Sequence, residues 1–191
     1  SSATLTVSTT KITGSTRNIT IGSGSNLGTV ILSDKAVTDS LSYTGTTSVI
    51  SGATLNLKIN LACTTVSICF NSSYSGAGTI ILEPATSGWA TAIGATSGTN
   101  TSYFPVALFA AGGKFASGFT NLVIGNTTSA GNLSVTGSAS FFDSVALLSS
   151  GNVTINSGAS VSTSKASGNL VVAAIGSFIN NAGSSALATT D

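Results

Sequence analysis

The chain has 191 residues, a net charge of +1 and only 6% charged side chains, against about 25% in an average domain. The six basic residues are scattered and five acids nearly cancel them, so no basic patch exists to hold a phosphate backbone, which argues against a nucleic-acid partner. Histidine is absent, which removes the commonest general base and the commonest metal ligand.

In chain order, residues 1–71 are strand-rich. Leu5-Thr6-Val7, Ile19-Thr20-Ile21, the alternating run from Leu55 to Leu61, and Val66 to Phe70 each place apolar residues at every second position, the period of a half-buried strand. This zone ends in the two cysteines of the chain, Cys63 and Cys69. Being six residues apart, they cannot lie on stacked rungs; they either clip a local turn as a disulfide, which suits an oxidising compartment, or sit as buried thiols. Residues 72–119 are looser, with both prolines (Pro84 and Pro105) and the single tryptophan, Trp89. They read as a loop excursion or a small subdomain. Val106–Ala111 and Ala182–Ala188 carry a weak helical hint.

Residues 120–191 are the most regular. Gly131-Asn132-Leu133-Ser134-Val135, Gly151-Asn152-Val153-Thr154-Ile155 and Gly168-Asn169-Leu170-Val171-Val172 repeat one unit, a Gly-Asn corner followed by a short β-run, at spacings of 20 and 17 residues. A second Asn-rich corner stands at Asn180-Asn181. Asn132, Asn152, Asn169 and Asn180 are therefore expected at rung corners, where Asn and Gly tolerate left-handed backbone. A unit that buries its apolar face only against its neighbours is the mark of a solenoid. The expected fold is all-β: a β-solenoid with rungs of about twenty residues. If the whole chain were rungs, nine or ten turns stacked at about 4.8 Å would make a rod on the order of 45 Å long. A β-sandwich of short strands is the rival architecture.

Little in the chain is suited to catalysis. The acids are Asp34, Asp39, Glu83, Asp143 and Asp191, and the local pair Asp34 and Asp39 would point to opposite faces of a strand, unlike a glycosidase pair. The run Gly94–Gly98 carries Thr96 where a nucleophile elbow has Ser, and without histidine it reads as a glycine-rich loop. Nothing fits a phosphate loop or a zinc site. The expectation is no enzyme, no cofactor and no metal. Six glycosylation sequons occur, at Asn18, Asn71, Asn100, Asn126, Asn132 and Asn152. A chain this rich in Ser and Thr would carry roughly five by chance. Tyr74, Trp89, Tyr103 and Phe104 could form a receptor or carbohydrate contact, or fill a small satellite core. No run approaches the ~18 apolar residues of a membrane helix.

The repeats, and above all Gly168-Asn169-Leu170-Val171-Val172 leading into Ser177-Phe178-Ile179-Asn180-Asn181-Ala182-Gly183, resemble the filamentous haemagglutinin family of secreted bacterial exoproteins and adhesins. The resemblance covers about the last seventy residues. It implies a right-handed parallel β-helix, secretion by the two-partner route, display at the outer cell surface, and binding to a receptor or glycan on host or bacterial cells. No Asn-Pro motif of the family's secretion domain is found, so the chain reads as a piece of a longer protein or a small relative exported differently. The near-neutral surface does little to repel other copies, so a self-assembling filament, pilus-like fibre or sheath is the second expectation.

Overall fold

The computed structural model describes residues 4–8, 19–23, 27–34, 41–60, 70–94, 98–115, 117–129 and 131–190. The strands in chain order are β1 (Thr4–Ser8), β2 (Ile19–Ile21), β3 (Thr29–Asp34), β4 (Leu41–Val49), β5 (Thr54–Ile59) and β6 (Phe70–Gly76). Then come β7 (Thr79–Glu83), β8 (Ala90–Ile93), β9 (Thr101–Phe104), β10 (Asn121–Gly125), β11 (Leu133–Val135) and β12 (Ser138–Phe141). The last six are β13 (Val145–Ser149), β14 (Val153–Ile155), β15 (Ser160–Thr163), β16 (Leu170–Ala174), β17 (Phe178–Asn180) and β18 (Leu187–Thr189).

These strands form a parallel β-solenoid of about 6 turns. The largest sheet has the order β1-β3-β5-β7-β10-β13-β16 and runs the length of the molecule. A second face is β17-β14-β11-β8-β9. The third face is in two parts, β2-β4-β6 and β12-β15-β18, whose strands each immediately precede a strand of the large sheet, β18 excepted. The pairings within these sheets are parallel, which rules out the antiparallel sandwich.

Alternation builds the interior. In β5 the residues Leu55, Leu57 and Ile59 are buried while Thr54, Asn56 and Lys58 face outward. Register then stacks like on like: Leu55, Ile80, Leu122 and Val145 form one buried ladder, and Leu57, Leu82, Ile124 and Leu147 a second. Each such side chain contributes about 1.5–3 kcal/mol of burial.

The rung length differs from the expected twenty residues. Thr4, Thr29, Thr54 and Thr79 are successive register partners 25 residues apart. From β7 to β10 the step is 42 residues, Thr79 to Asn121. Longer rungs give fewer turns, and the seven stacked strands span about 29 Å rather than the expected 45 Å.

The long step holds an excursion. After β8 the chain returns as β9, which pairs with β8 on the edge opposite β11. The hinted helix at Val106–Ala111 is one 3₁₀ turn, Val106–Leu108. The other, Ala182–Ala188, is a turn that runs into β18, because Leu187 extends the inward row Ala139–Val161. The excursion fills the break in the third face with rings. Phe115 bridges Tyr74 in parallel fashion and stacks on it at 5.0 Å, with Phe70 edge-on at 5.3 Å and Phe109 at 5.7 Å. Phe109 in turn meets Phe141 at 4.8 Å. Cys63, Cys69 and Asp39 lie outside the described residues, as does the side chain of Asp34.

Candidate functional site

Three polar arrangements gather most of the chemistry-bearing side chains among the described residues. The first is the corner ladder. Asn132 Oδ1 accepts the backbone N–H of Asn152 at 2.9 Å, and Asn152 Oδ1 accepts that of Ser177 at 2.8 Å. Each corner side chain thus satisfies a backbone donor of the next rung. Asn169, the third copy of the corner motif, is not in this ladder. It precedes β16 in the large sheet, where its N–H donates to Ser144 Oγ and its carbonyl accepts from Val145. Asn180 closes its own turn: its Oδ1 accepts from the N–H groups of Ala182 and Gly183, and its Nδ2 donates to the Gly183 carbonyl.

The second arrangement surrounds Glu83, which is buried although it lies on the outward row of β7. Its Oε1 accepts from Asn56 Nδ2 at 2.7 Å and lies 3.5 Å from Lys58 Nζ; its Oε2 accepts from Asn126 Nδ2. Asn126 Oδ1 meanwhile accepts from the N–H groups of Thr128 and Ser129. The Asn126 sequon therefore stands on a side chain already engaged at both ends.

The third is a clasp on the excursion. The Asp143 carboxylate accepts from the N–H of Gly118 and of Phe119, each at 2.9 Å from Oδ2. Lys165 Nζ stands 3.9 Å from Oδ1 and donates to the Phe119 carbonyl at 3.2 Å. Beside it, Phe109, Phe115, Phe119, Leu122 and Phe141 line a crevice of ≈ 10 Å³, at the lower limit for one water. It is a packing gap.

The expected aromatic contact is corrected for three of its four members. Tyr74, Tyr103 and Phe104 are buried: Tyr74 and Phe104 stand at inward positions of β6 and β9, whereas Tyr103, next to Phe104, is on the outward row of β9 and is buried beside Gly98. The Tyr103 hydroxyl donates to the Gly98 carbonyl. Trp89 is half-buried at the corner between β7 and β8, its carbonyl accepting from Gly131 N–H. Motif and spacing do not single out the Glu83 and Asp143 clusters. Their one visible signal in the residue order is isolation: apart from Lys114, no charge stands between the two acids.

Val171, Ile175, Phe178 and Ile179 are 47%, 70%, 46% and 36% exposed, and among the described residues β16, β17 and β18 stand at the edges of their sheets. Among the described residues, no helix is long and apolar enough to cross a membrane. No protein-family model, curated protein or solved structure matches the chain.

Proposed function

We propose that this chain is a non-enzymatic extracellular scaffold, a β-helical segment of a bacterial surface adhesin. The observation that carries this reading is the use of its described carboxylates and corner amides. Glu83 ties Asn56, Lys58 and Asn126 together, Asp143 holds the excursion, and Asn132 and Asn152 join rung to rung. These groups serve the rod itself rather than a substrate. The resemblance to the filamentous haemagglutinin family adds surface display and attachment to a receptor or glycan; its closing run, Phe178–Gly183, forms β17 and the Asn180 turn.

The test is binding of labelled chain to host cells, bacteria and extracellular matrix. Saturable binding that weakens in Trp89→Ala supports adhesion. Turnover of a polysaccharide that is lost in Glu83→Gln, without loss of fold, overturns the reading. A self-assembling fibre subunit is the second reading, favoured by a net charge of +1 over 191 residues, which does little to repel other copies.

A further inference from the structure

We infer that Lys58 and Asn126 become joined by an intramolecular isopeptide bond, from Lys58 Nζ to Asn126 Cγ, with Glu83 as the proton carrier and ammonia as the leaving group. The inference goes beyond the scaffold reading, since it gives the cluster around Glu83 a covalent product.

Such a bond needs an amine, an amide carbon and a carboxylate between them, and the register supplies all three. Lys58 and Glu83 are partners on β5 and β7. Asn126 stands two residues beyond Ile124, the β10 partner of Leu82. The three therefore lie on successive rungs, with Glu83 in the middle. Two rung spacings are about 10 Å, within the combined reach of a lysine and an asparagine side chain. The carboxylate already holds both reactants: Nζ lies 3.5 Å from Oε1, and Asn126 Nδ2 donates to Oε2. Glu83 is buried, so little water competes for its oxygens. The 35% exposure of the Lys58 side chain leaves its end room to turn from Oε1 toward Cγ.

Two asparagines touch Glu83, and their carbonyl oxygens single out one. Asn126 Oδ1 accepts the backbone N–H groups of Thr128 and Ser129 at 2.9 and 2.7 Å. Two such donors draw charge from the carbon and hold the oxyanion that attack creates. Asn56 also donates to Glu83 from its Nδ2, but its buried Oδ1 has no hydrogen-bond partner, so an oxyanion there would go unsupported. In the reaction Glu83 takes a proton from the Lys58 ammonium. The freed lone pair bonds to Asn126 Cγ while the C=O π pair moves onto Oδ1. Glu83 passes its proton to Nδ2 and takes one from the attacking nitrogen. As C=O re-forms, the Cγ–Nδ2 bond breaks and its electron pair leaves on ammonia, which carries off the proton from Glu83 as ammonium. Nothing is oxidised or reduced, and the chain loses one positive charge.

The bond ties three rungs and closes the chain between residues 58 and 126, a constraint on the unfolded state of the kind a disulfide gives. The experiment is mass spectrometry of the whole purified chain after incubation in the folded form, with Lys58→Arg and Glu83→Gln beside it. The parent is expected to be lighter than its sequence by one ammonia, and both variants to keep full mass. Lys58→Arg retains the charge beside Glu83 but not the amine. Trypsin gives a second readout. It cuts after Lys35, Lys114 and Lys165 but not at an acylated Lys58, so residues 36–114 should appear joined to residues 115–165.

A folded parent at full mass overturns the proposal and leaves the scaffold reading in place, because that reading rests on the cluster as it stands. A loss of ammonia without joined peptides is cyclisation of an asparagine and overturns it as well. So does a loss that persists in Lys58→Arg. Circular dichroism checks that each variant is folded, and if Glu83→Gln is not, Lys58→Arg decides alone. Before the bond closes the chain keeps its full mass, and that form is the reference against which substitutions at Glu83 and Lys58 are compared by denaturation.

Discussion

Asn132 and Asn152 are joined by one hydrogen bond, the Oδ1 of the first accepting the backbone N–H of the second at 2.9 Å. The same atom of Asn152 then serves Ser177. A corner residue chosen for its turn-forming habit thus also acts as mortar between rungs.

Asn152→Ala leaves the Ser177 donor without that acceptor. The expected cost is about 1 kcal/mol, a fall in Tm of about 2–4 °C for a chain of this size. Asn152→Asp keeps the acceptor and should recover most of it. Hydrogen exchange at Ser177 checks the assignment: unchanged protection in the alanine variant would show that the ladder does not tie these rungs.

Asp143→Ala should release the excursion. It strips the acceptor from Gly118 and Phe119 N–H, bonds to a charged group worth about 1.5–3 kcal/mol. Faster exchange confined to Gly118 and Phe119 is expected, with the Leu133–Val135 and Val153–Ile155 strands unaffected. Uniform destabilisation would show that the clasp is not a local device.

At Glu83 the two oxygens each face an amide donor, so Glu83→Gln turns one acceptor into a donor against a donor. We expect a loss of about 1–3 kcal/mol by chemical denaturation. Lys58, one-third exposed, should cost less than about 1 kcal/mol when changed to Ala. The reverse order would mean that the ion pair, and not the amides, holds the cluster.

Gly125 and Gly158 have similar backbone angles, φ +80° and +77°, in different surroundings. A Cβ on Gly125 would stand 2.1 Å from the Leu148 carbonyl oxygen, whereas one on Gly158 meets nothing within 4 Å. Gly158→Ala should cost about 1–2 kcal/mol for the left-handed conformation. Gly125→Ala adds a backbone clash worth a further ~1–3 kcal/mol. Equal thermal shifts in the two variants would contradict the close approach of β10 to β13.

Much of this architecture is legible in the residue order alone. Alternation in Leu55–Ile59, Leu133–Val135 and Val153–Ile155 names strands with one buried side, and Gly-Asn pairs mark their corners. Recurrence of that unit leads to a solenoid, because an apolar face this small is stable only when stacked. The order of stacking is a different matter. Asn169 shares its motif with Asn132 and Asn152, yet it stands on another face, because loop length and not motif decides where along a turn a corner falls. Nor does alternation report what lies opposite a side chain. Tyr74 is interior because Phe115 of the excursion stacks on it across the break in the third face, Tyr103 is buried from the outward row of β9 beside Gly98, and Glu83 is covered because Asn126, 43 residues away, reaches over it. Local periodicity determined the strands and their buried side; contacts between distant rungs decided the registers, the aromatic interior and the engagement of Glu83 and Asp143.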